Sequence, residues 1–286
     1  MSHEDFSSSA LVLLVHGTRE HSGTGLVVAR HAEELRRRRV FAAVHEAFVK
    51  QSPRIEEVLS GIVELRVFIV PVLMSEGYLC EVAVPQELGF RKAGQATFSR
   101  VQERHGQTFF YCKPIGTHQR MTNVILVRAN EVVEKFPFPR TPSPHETTLL
   151  IAGHGTSMEE NSRKAVEQHV ERIRQLNLFA AVHGGFLEEA PRLSDYHQVA
   201  HTRNIIVVPF FLGDGRHTQE DIPVMLGEPK HLVAQRCKLG QPPWRNPTEK
   251  KSRLIWYSSP IGSAPQVADV ILERVHEATA GTAPGH

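Results

Sequence analysis

Short runs of apolar residues alternate with longer amphipathic stretches along the whole chain. Leu11–Val15 is a compact apolar run, followed by a helical pattern from about Ser22 to Arg38. Phe41–Phe48 reads as a second strand, Pro53–Ser60 as a short helix and Arg66–Val70 as a third strand that ends at Pro71. The pattern then predicts a helix over about Val82–Glu103, a strand over Thr108–Tyr111 and a helix over Gln119–Lys135. The order starts again, with strands near Thr148–Ala152, Phe179–Phe186, Asn204–Val208 and Arg253–Tyr257. Strands that are apolar throughout, rather than alternating, are buried on both faces. Separated by helix-length segments, they imply parallel sheets covered on two sides.

The recurrence is literal. His16-Gly17-Thr18 returns as His154-Gly155-Thr156, an offset of 138 (154 − 16), and Phe41-Ala42-Ala43-Val44-His45 returns unchanged as Phe179-Ala180-Ala181-Val182-His183 at the same offset. Pro53-Arg54, Pro71, Gly77 and Pro85 match Pro191-Arg192, Pro209, Gly215 and Pro223 without a gap. Further on, Pro114-Ile115-Gly116 matches Pro260-Ile261-Gly262 at 146 (260 − 114), so the second half carries about eight extra residues near 230–252. A constant offset over such a length marks an internal duplication. Between the halves lies Pro137-Phe138-Pro139-Arg140-Thr141-Pro142-Ser143-Pro144, whose prolines make a stiff connector that cannot continue a helix. The expected organisation is a domain over 1–136, a proline-rich linker over 137–146 and a second domain over 147–286. The expected fold is α/β: two tandem doubly wound, flavodoxin-like domains with parallel sheets, related by duplication.

Composition narrows the partners. The chain has 286 residues, 41% hydrophobic and 22% charged, with a formal net charge of +2, which offers no electrostatic case for nucleic-acid binding. No apolar run approaches membrane-spanning length, and the start, Met1-Ser2-His3-Glu4-Asp5, is polar and acidic where a secretory leader is basic and then apolar. Cys80, Cys112 and Cys237 are too scattered for a disulfide framework. The expectation is a soluble cytoplasmic protein, a monomer or homodimer, with no membrane or nucleic-acid partner. Its 17 histidines are where chemistry is to be sought.

In open parallel sheets, ligands bind beyond the carboxyl ends of the strands. His16 and His154 each follow the first strand of their half. In the second half, Glu188 follows the second strand in Phe186-Leu187-Glu188, and His217 follows the third through Gly213-Asp214-Gly215-Arg216-His217. Ser157 and Glu160 are placed as a capping box for the next helix, and Asp221 as the cap of a helix with Pro223 in its first turn. Subtracting 138 from His154, Glu188 and His217 gives His16, Lys50 and Leu79. Two imidazoles and a carboxylate can hold a divalent transition metal or take up protons near neutral pH; histidine, lysine and leucine make a poor metal site. The second half carries the candidate site and the first a degenerate copy.

This combination resembles the class II tetrapyrrole chelatases. His-Gly-Thr after a strand, Phe-Leu-Glu some 32 residues on, and Gly-Asp-Gly-Arg-His-Thr-Gln-Glu-Asp-Ile-Pro are most similar to the sirohydrochlorin chelatase (CbiX/SirB) family. The resemblance covers roughly residues 10–135 and 147–279. It implies a lyase-type enzyme that inserts Co2+ or Fe2+, with Ni2+ a further candidate, into a tetrapyrrole such as sirohydrochlorin, in cobalamin or siroheme biosynthesis. It implies no nucleotide or organic cofactor. It maps the family's two active-site histidines onto His154 and His217, both as metal ligands, and its carboxylate onto Glu188. The macrocycle is expected in a cleft between the halves, with His16, Arg19 and Arg216 toward its carboxylates. One departure stands out: two-domain members usually keep the working pair in the first half, where this chain has Leu79. A non-catalytic metal or tetrapyrrole carrier is the alternative. An α/β-hydrolase is excluded by the lack of a Gly-x-Ser-x-Gly elbow. The segment Pro242-Pro243-Trp244 is expected to be a lid or a surface loop.

Overall fold

A computed structural model describes residues 4–17, 22–156 and 160–280. In chain order its elements are β1 (Ser9–Val15), α1 (Ser22–Arg38), β2 (Ala43–Phe48), α2 (Ile55–Ser60), β3 (Arg66–Pro71), α3 (Val84–Glu87), β4 (Val101–Arg104), β5 (Gln107–Tyr111) and α4 (Met121–Lys135). They continue with β6 (Thr147–Gly153), α5 (Glu160–Gln175), β7 (Ala181–Phe186), α6 (Tyr196–Val199), β8 (Asn204–Pro209), α7 (Ile222–Met225), α8 (Lys230–Lys238), β9 (Thr248–Lys250), β10 (Arg253–Tyr257) and α9 (Val267–Ala280). No described helix is long and apolar enough to cross a membrane.

The strands form two sheets of the same topology, β2-β1-β3-β5-β4 and β7-β6-β8-β10-β9. All neighbours are parallel except the edge strands β4 and β9, which run antiparallel to β5 and β10. β1 and β6 are interior strands buried at every position, including Ser9, Thr147 and Thr148 at their starts, as their mainly apolar sequences require. The doubly wound α/β fold is therefore present twice.

The helix expected over Val82–Glu103 does not form. A π-helical turn over Leu79–Ala83 runs into α3, which stops at Glu87, and Gly89 at φ +70° turns the chain away. The polar stretch after Phe90 has no apolar face to bury, and the segment ends in β4, an edge strand too polar to be read as one.

The compact units also differ from the sequence halves. One comprises residues 1–118 and 265–286, and the other 119–264, whereas the repeat placed domains at 1–136 and 147–286. The cause is where the last helix of each half packs. α9 lies with β3 and α1 in the first unit, and α4 with β8, β10 and α5 in the second. Each is fastened by a repeat-related arginine. In the first unit Arg274 donates to the Pro114 carbonyl at 2.9 Å and to Thr117 Oγ1 at 2.9 Å, and pairs with Glu277. In the second, Arg128 donates to Ser263 Oγ at 2.8 Å and pairs with Glu131.

Within the second unit, α8 lies in the stretch that carries the additional residues. Trp244 is neither lid nor surface loop: it is 3% exposed, packs in the core with Leu193, Tyr196 and Tyr257, and donates its indole N–H to the Ile255 carbonyl.

Candidate active site

In the second unit, three strand ends deliver the residues singled out by sequence. His154 follows β6 directly, Glu188 lies two residues beyond β7, and His217 opens a π-helical turn over His217–Asp221 after β8. Gly155 makes the first of these turns possible. Its φ of +65° is strained for any side chain, and a Cβ there would collide with the Glu189 carboxylate and with Phe186. The His154 carbonyl accepts from the backbone N–H groups of Leu187 and Glu188 at 3.0 and 3.2 Å, tying the β6 and β7 loops together. Glu189 completes the tie by accepting the Thr156 N–H at 3.1 Å.

The His217 turn is held from several sides. Gly215 N–H donates to Thr218 Oγ1, and Gln219 N–H to the Gly215 carbonyl, while the Gln219 amide reaches Asp214 Oδ1 at 2.7 Å. From β10, the buried Tyr257 hydroxyl donates to the Thr218 carbonyl at 2.7 Å. Burial drives its pKa far above the ordinary phenol range, so it remains a donor. Upstream, Gly262 N–H bonds the Phe211 carbonyl at 2.9 Å, and the backbones meet so closely that a Cβ on Gly262 would overlap the Leu212 carbonyl.

These supports place the two imidazoles edge to face, with ring centroids 4.8 Å apart and an interplanar angle of 82°. His154 Nε2 lies 3.6 Å from Glu188 Oε1, and His154 Nδ1 is 2.8 Å from the Gly155 carbonyl. His217 Nδ1 lies 2.7 Å from Asp221 Oδ2. Both rings are a little over one-third exposed, so the pair opens to solvent. Among the described residues, no group of three or more histidine, cysteine or acidic side chains forms a ready-made metal cage. What the arrangement provides is two adjacent imidazoles with a carboxylate beside one of them. Such a donor set can hold a divalent cation while leaving most of its coordination positions open.

Arg216 is exposed, its Nε 3.9 Å from Asp221 Oδ1. Arg19 and Ser157, assigned to substrate contact and helix capping, lie outside the described residues. Asp221 does not cap the following helix as expected; its carboxylate is engaged by His217 instead. Asp221, Glu189, Tyr257 and Gly262 are the supporting residues that sequence reasoning missed. For Asp221 a signal was present, because His217 and Asp221 are four residues apart and share a face of a helical turn.

The second unit also contains a cavity of about 1180 Å³, floored by Trp244 and Tyr257 and bordered by Arg128, Asp214, Thr218 and Gln219. Neither histidine lines it. The site is defined by converging side chains rather than by this hollow.

The first unit shows the same backbone with different chemistry. His16 follows β1, and its carbonyl accepts the Lys50 N–H at 3.1 Å, as His154 accepts that of Glu188. Burial, and then the charge of Lys50, push the His16 pKa below the usual imidazole value. Tyr111 donates to the Cys80 carbonyl at 2.8 Å, the counterpart of Tyr257 and Thr218. Leu79 is packed against the core of its unit, and Ala83 stands where the second half has Asp221.

Comparison with known proteins agrees with this duplicated architecture. A probable sirohydrochlorin cobaltochelatase of Halobacterium salinarum is 34% identical over 283 residues, covering 95% of this chain and 92% of the relative. Among solved structures, DR2241 of Deinococcus radiodurans, a multi-domain protein with structural similarity to chelatases, superposes with a TM-score of 0.73 at 26% identity, covering 93% of this chain and 54% of that one. SirB from Bacillus subtilis, solved with Fe3+, gives a TM-score of 0.66 at 19% identity, covering 96% and 98%, and shares the fold. The CbiX family model matches twice, over residues 10–132 and 148–278, so the chain belongs to the CbiX family.

Proposed function

We propose that this protein is a lyase-type chelatase that inserts a divalent metal, Co2+ or Fe2+, into a tetrapyrrole such as sirohydrochlorin, and that His154, His217 and Glu188 do the work. The observation that carries the reading is the pair of partly exposed imidazoles, ring centroids 4.8 Å apart, at two strand ends beside a carboxylate. The name of the Halobacterium relative supports cobalt as the metal.

Insertion requires a cation held firmly enough to be captured and loosely enough to be released, together with removal of two pyrrole N–H protons. Four strong protein ligands would trap the ion, whereas two imidazoles leave it exchangeable. An imidazole that is not ligating can accept a proton, and Glu188, 3.6 Å from His154 Nε2, is placed to receive it or to offset the charge of the cation. Arg216 and His16 are assigned to contacts with the substrate's carboxylates. Product formation would serve cobalamin or siroheme synthesis.

The test is incubation of the purified protein with sirohydrochlorin and Co2+, Fe2+ or Ni2+ under single-turnover conditions, followed by visible absorption. The expected result is a metal-dependent spectral change at enzyme-controlled rate with at least one of these ions. Tight binding of metal or macrocycle without any metallated product would instead establish a carrier.

A further inference from the structure

The two histidines present their rings by different means, and the difference assigns a role to a residue outside the predicted set. A carbonyl or carboxylate oxygen can only accept, so at both rings the Nδ1 atom must donate. His154 Nδ1–H donates to the Gly155 carbonyl at 2.8 Å, and His217 Nδ1–H to Asp221 Oδ2 at 2.7 Å. In the neutral imidazole this leaves the lone pair on Nε2 in each case. One ring is backed by a neutral peptide oxygen and the other by a carboxylate. The carboxylate's negative charge strengthens its hydrogen bond and makes the opposite nitrogen a better electron donor.

We infer that Asp221 is a positioning residue that fixes His217 as the Nδ1–H tautomer, aims its Nε2 at the incoming cation and makes His217 the stronger of the two metal-binding imidazoles. The local fold is suited to this task. A π-helical turn runs from His217 to Asp221 and brings the two side chains onto one face; Pro223 in the first turn of α7 follows immediately. The other oxygen of Asp221 lies 3.9 Å from Nε of the exposed Arg216. The first half has lost both members, with Leu79 and Ala83 at the matching positions, while retaining the π-helical turn over Leu79–Ala83 and its tyrosine tether. A residue kept for the shape of the turn would be needed in both copies; the carboxylate accompanies only the histidine.

This inference rests on the metal-handling reading, and two measurements separate them. The metal-free protein, labelled with 15N in histidine, is examined by long-range 1H–15N NMR, and Co2+ alone is titrated into it and into Asp221→Asn, Asp221→Glu and His217→Ala. Native His217 is expected as the Nδ1–H tautomer. Asp221→Asn, which can donate its amide N–H to Nδ1, is expected to shift the ring toward Nε2–H and to weaken Co2+ binding by about 10–100-fold. Asp221→Glu is expected to recover part of that loss, which a packing defect would not allow. Circular dichroism of the isosteric Asp221→Asn variant controls for folding. Undiminished Co2+ affinity in Asp221→Asn, or an Nε2–H tautomer in the native protein, overturns the inference. If the native protein takes up no Co2+, the metal reading fails, and the nitrogen shifts alone then decide the role of Asp221.

Discussion

The two units were built from one plan, and they differ at the points where a strand delivers a side chain to the rim. Glu188 is replaced by Lys50, His217 by Leu79 and Asp221 by Ala83, while the tyrosine tether under the turn, the glycine after the first histidine and the pairing of the first two loops persist. Backbone and chemistry are therefore separable. The turn is specified by buried hydrogen bonds and close packing, which the first unit retains. The side chains proposed to handle metal are few and partly exposed, and the first unit keeps the same sheet topology without three of them. Leu79 shows how the change is absorbed, since a leucine at the start of the turn is partly buried and packs against the core of its unit.

The sharpest way to break this comparison is to remove one imidazole from each unit. His154→Ala or His217→Ala is expected to abolish metal-dependent conversion of sirohydrochlorin, a loss of roughly 100-fold or more, whereas His16→Ala lowers the rate without abolishing it. Equal losses in the three variants, followed by visible absorption, would mean that the units are not functionally distinct. Gly262→Ala comes next. Its new Cβ displaces the Leu212 backbone leading to His217, so insertion activity is expected to fall with a loss of thermal stability, both measurable on the same preparation.

A third test concerns the fastening of the helices. Arg274→Ala leaves the Pro114 carbonyl without its partner, and a destabilisation of about 1–3 kcal/mol is expected from denaturant midpoints. Insertion activity per folded molecule should change little, because the arginine's hydrogen bonds and ion pair involve none of the proposed site residues. The smallest effect concerns His16. The folded chain disfavours its protonated form, so it binds fewer protons than the unfolded chain as pH drops below the ordinary imidazole value of 6.5. Stability is therefore lost progressively as the solution is acidified from neutrality through that range. Lys50→Met removes one of the two causes and should raise the His16 pKa in an NMR titration. No movement would show that burial alone sets it.

Much of this architecture was legible in the chain. Fully apolar strands announced parallel sheets, and the 138-residue offset announced two copies, because both signals arise from burial that tolerates little substitution. His154, Glu188 and His217 were found because strand ends in such sheets are predictable and because the second copy served as an internal control. The structure brings the two histidines together and sets Glu188 beside one of them. Other features escaped for physical reasons. Whether α4 and α9 cover their own sheet or the other one depends on tertiary packing, to which an amphipathic pattern is blind. β4 is a half-exposed edge strand without an apolar face. Asp221 reads as a cap because aspartate before a helix commonly plays that part, whereas in the fold a ring nitrogen of His217 engages its carboxylate. Tyr257 and Gly262 act across long sequence separations, through contacts that no local pattern encodes.

The crossing of the closing helices has a consequence for how such a gene can be divided. A cut within 137–146 would separate two polypeptides of matching ancestry, yet each would carry a helix made for the other's sheet and lose one of the two long helices that cover a face of its own. Fragments 1–136 and 147–286 should therefore aggregate when produced singly and recover solubility when produced together. Each half is thus expected to need the other to fold, whatever chemistry its own rim carries.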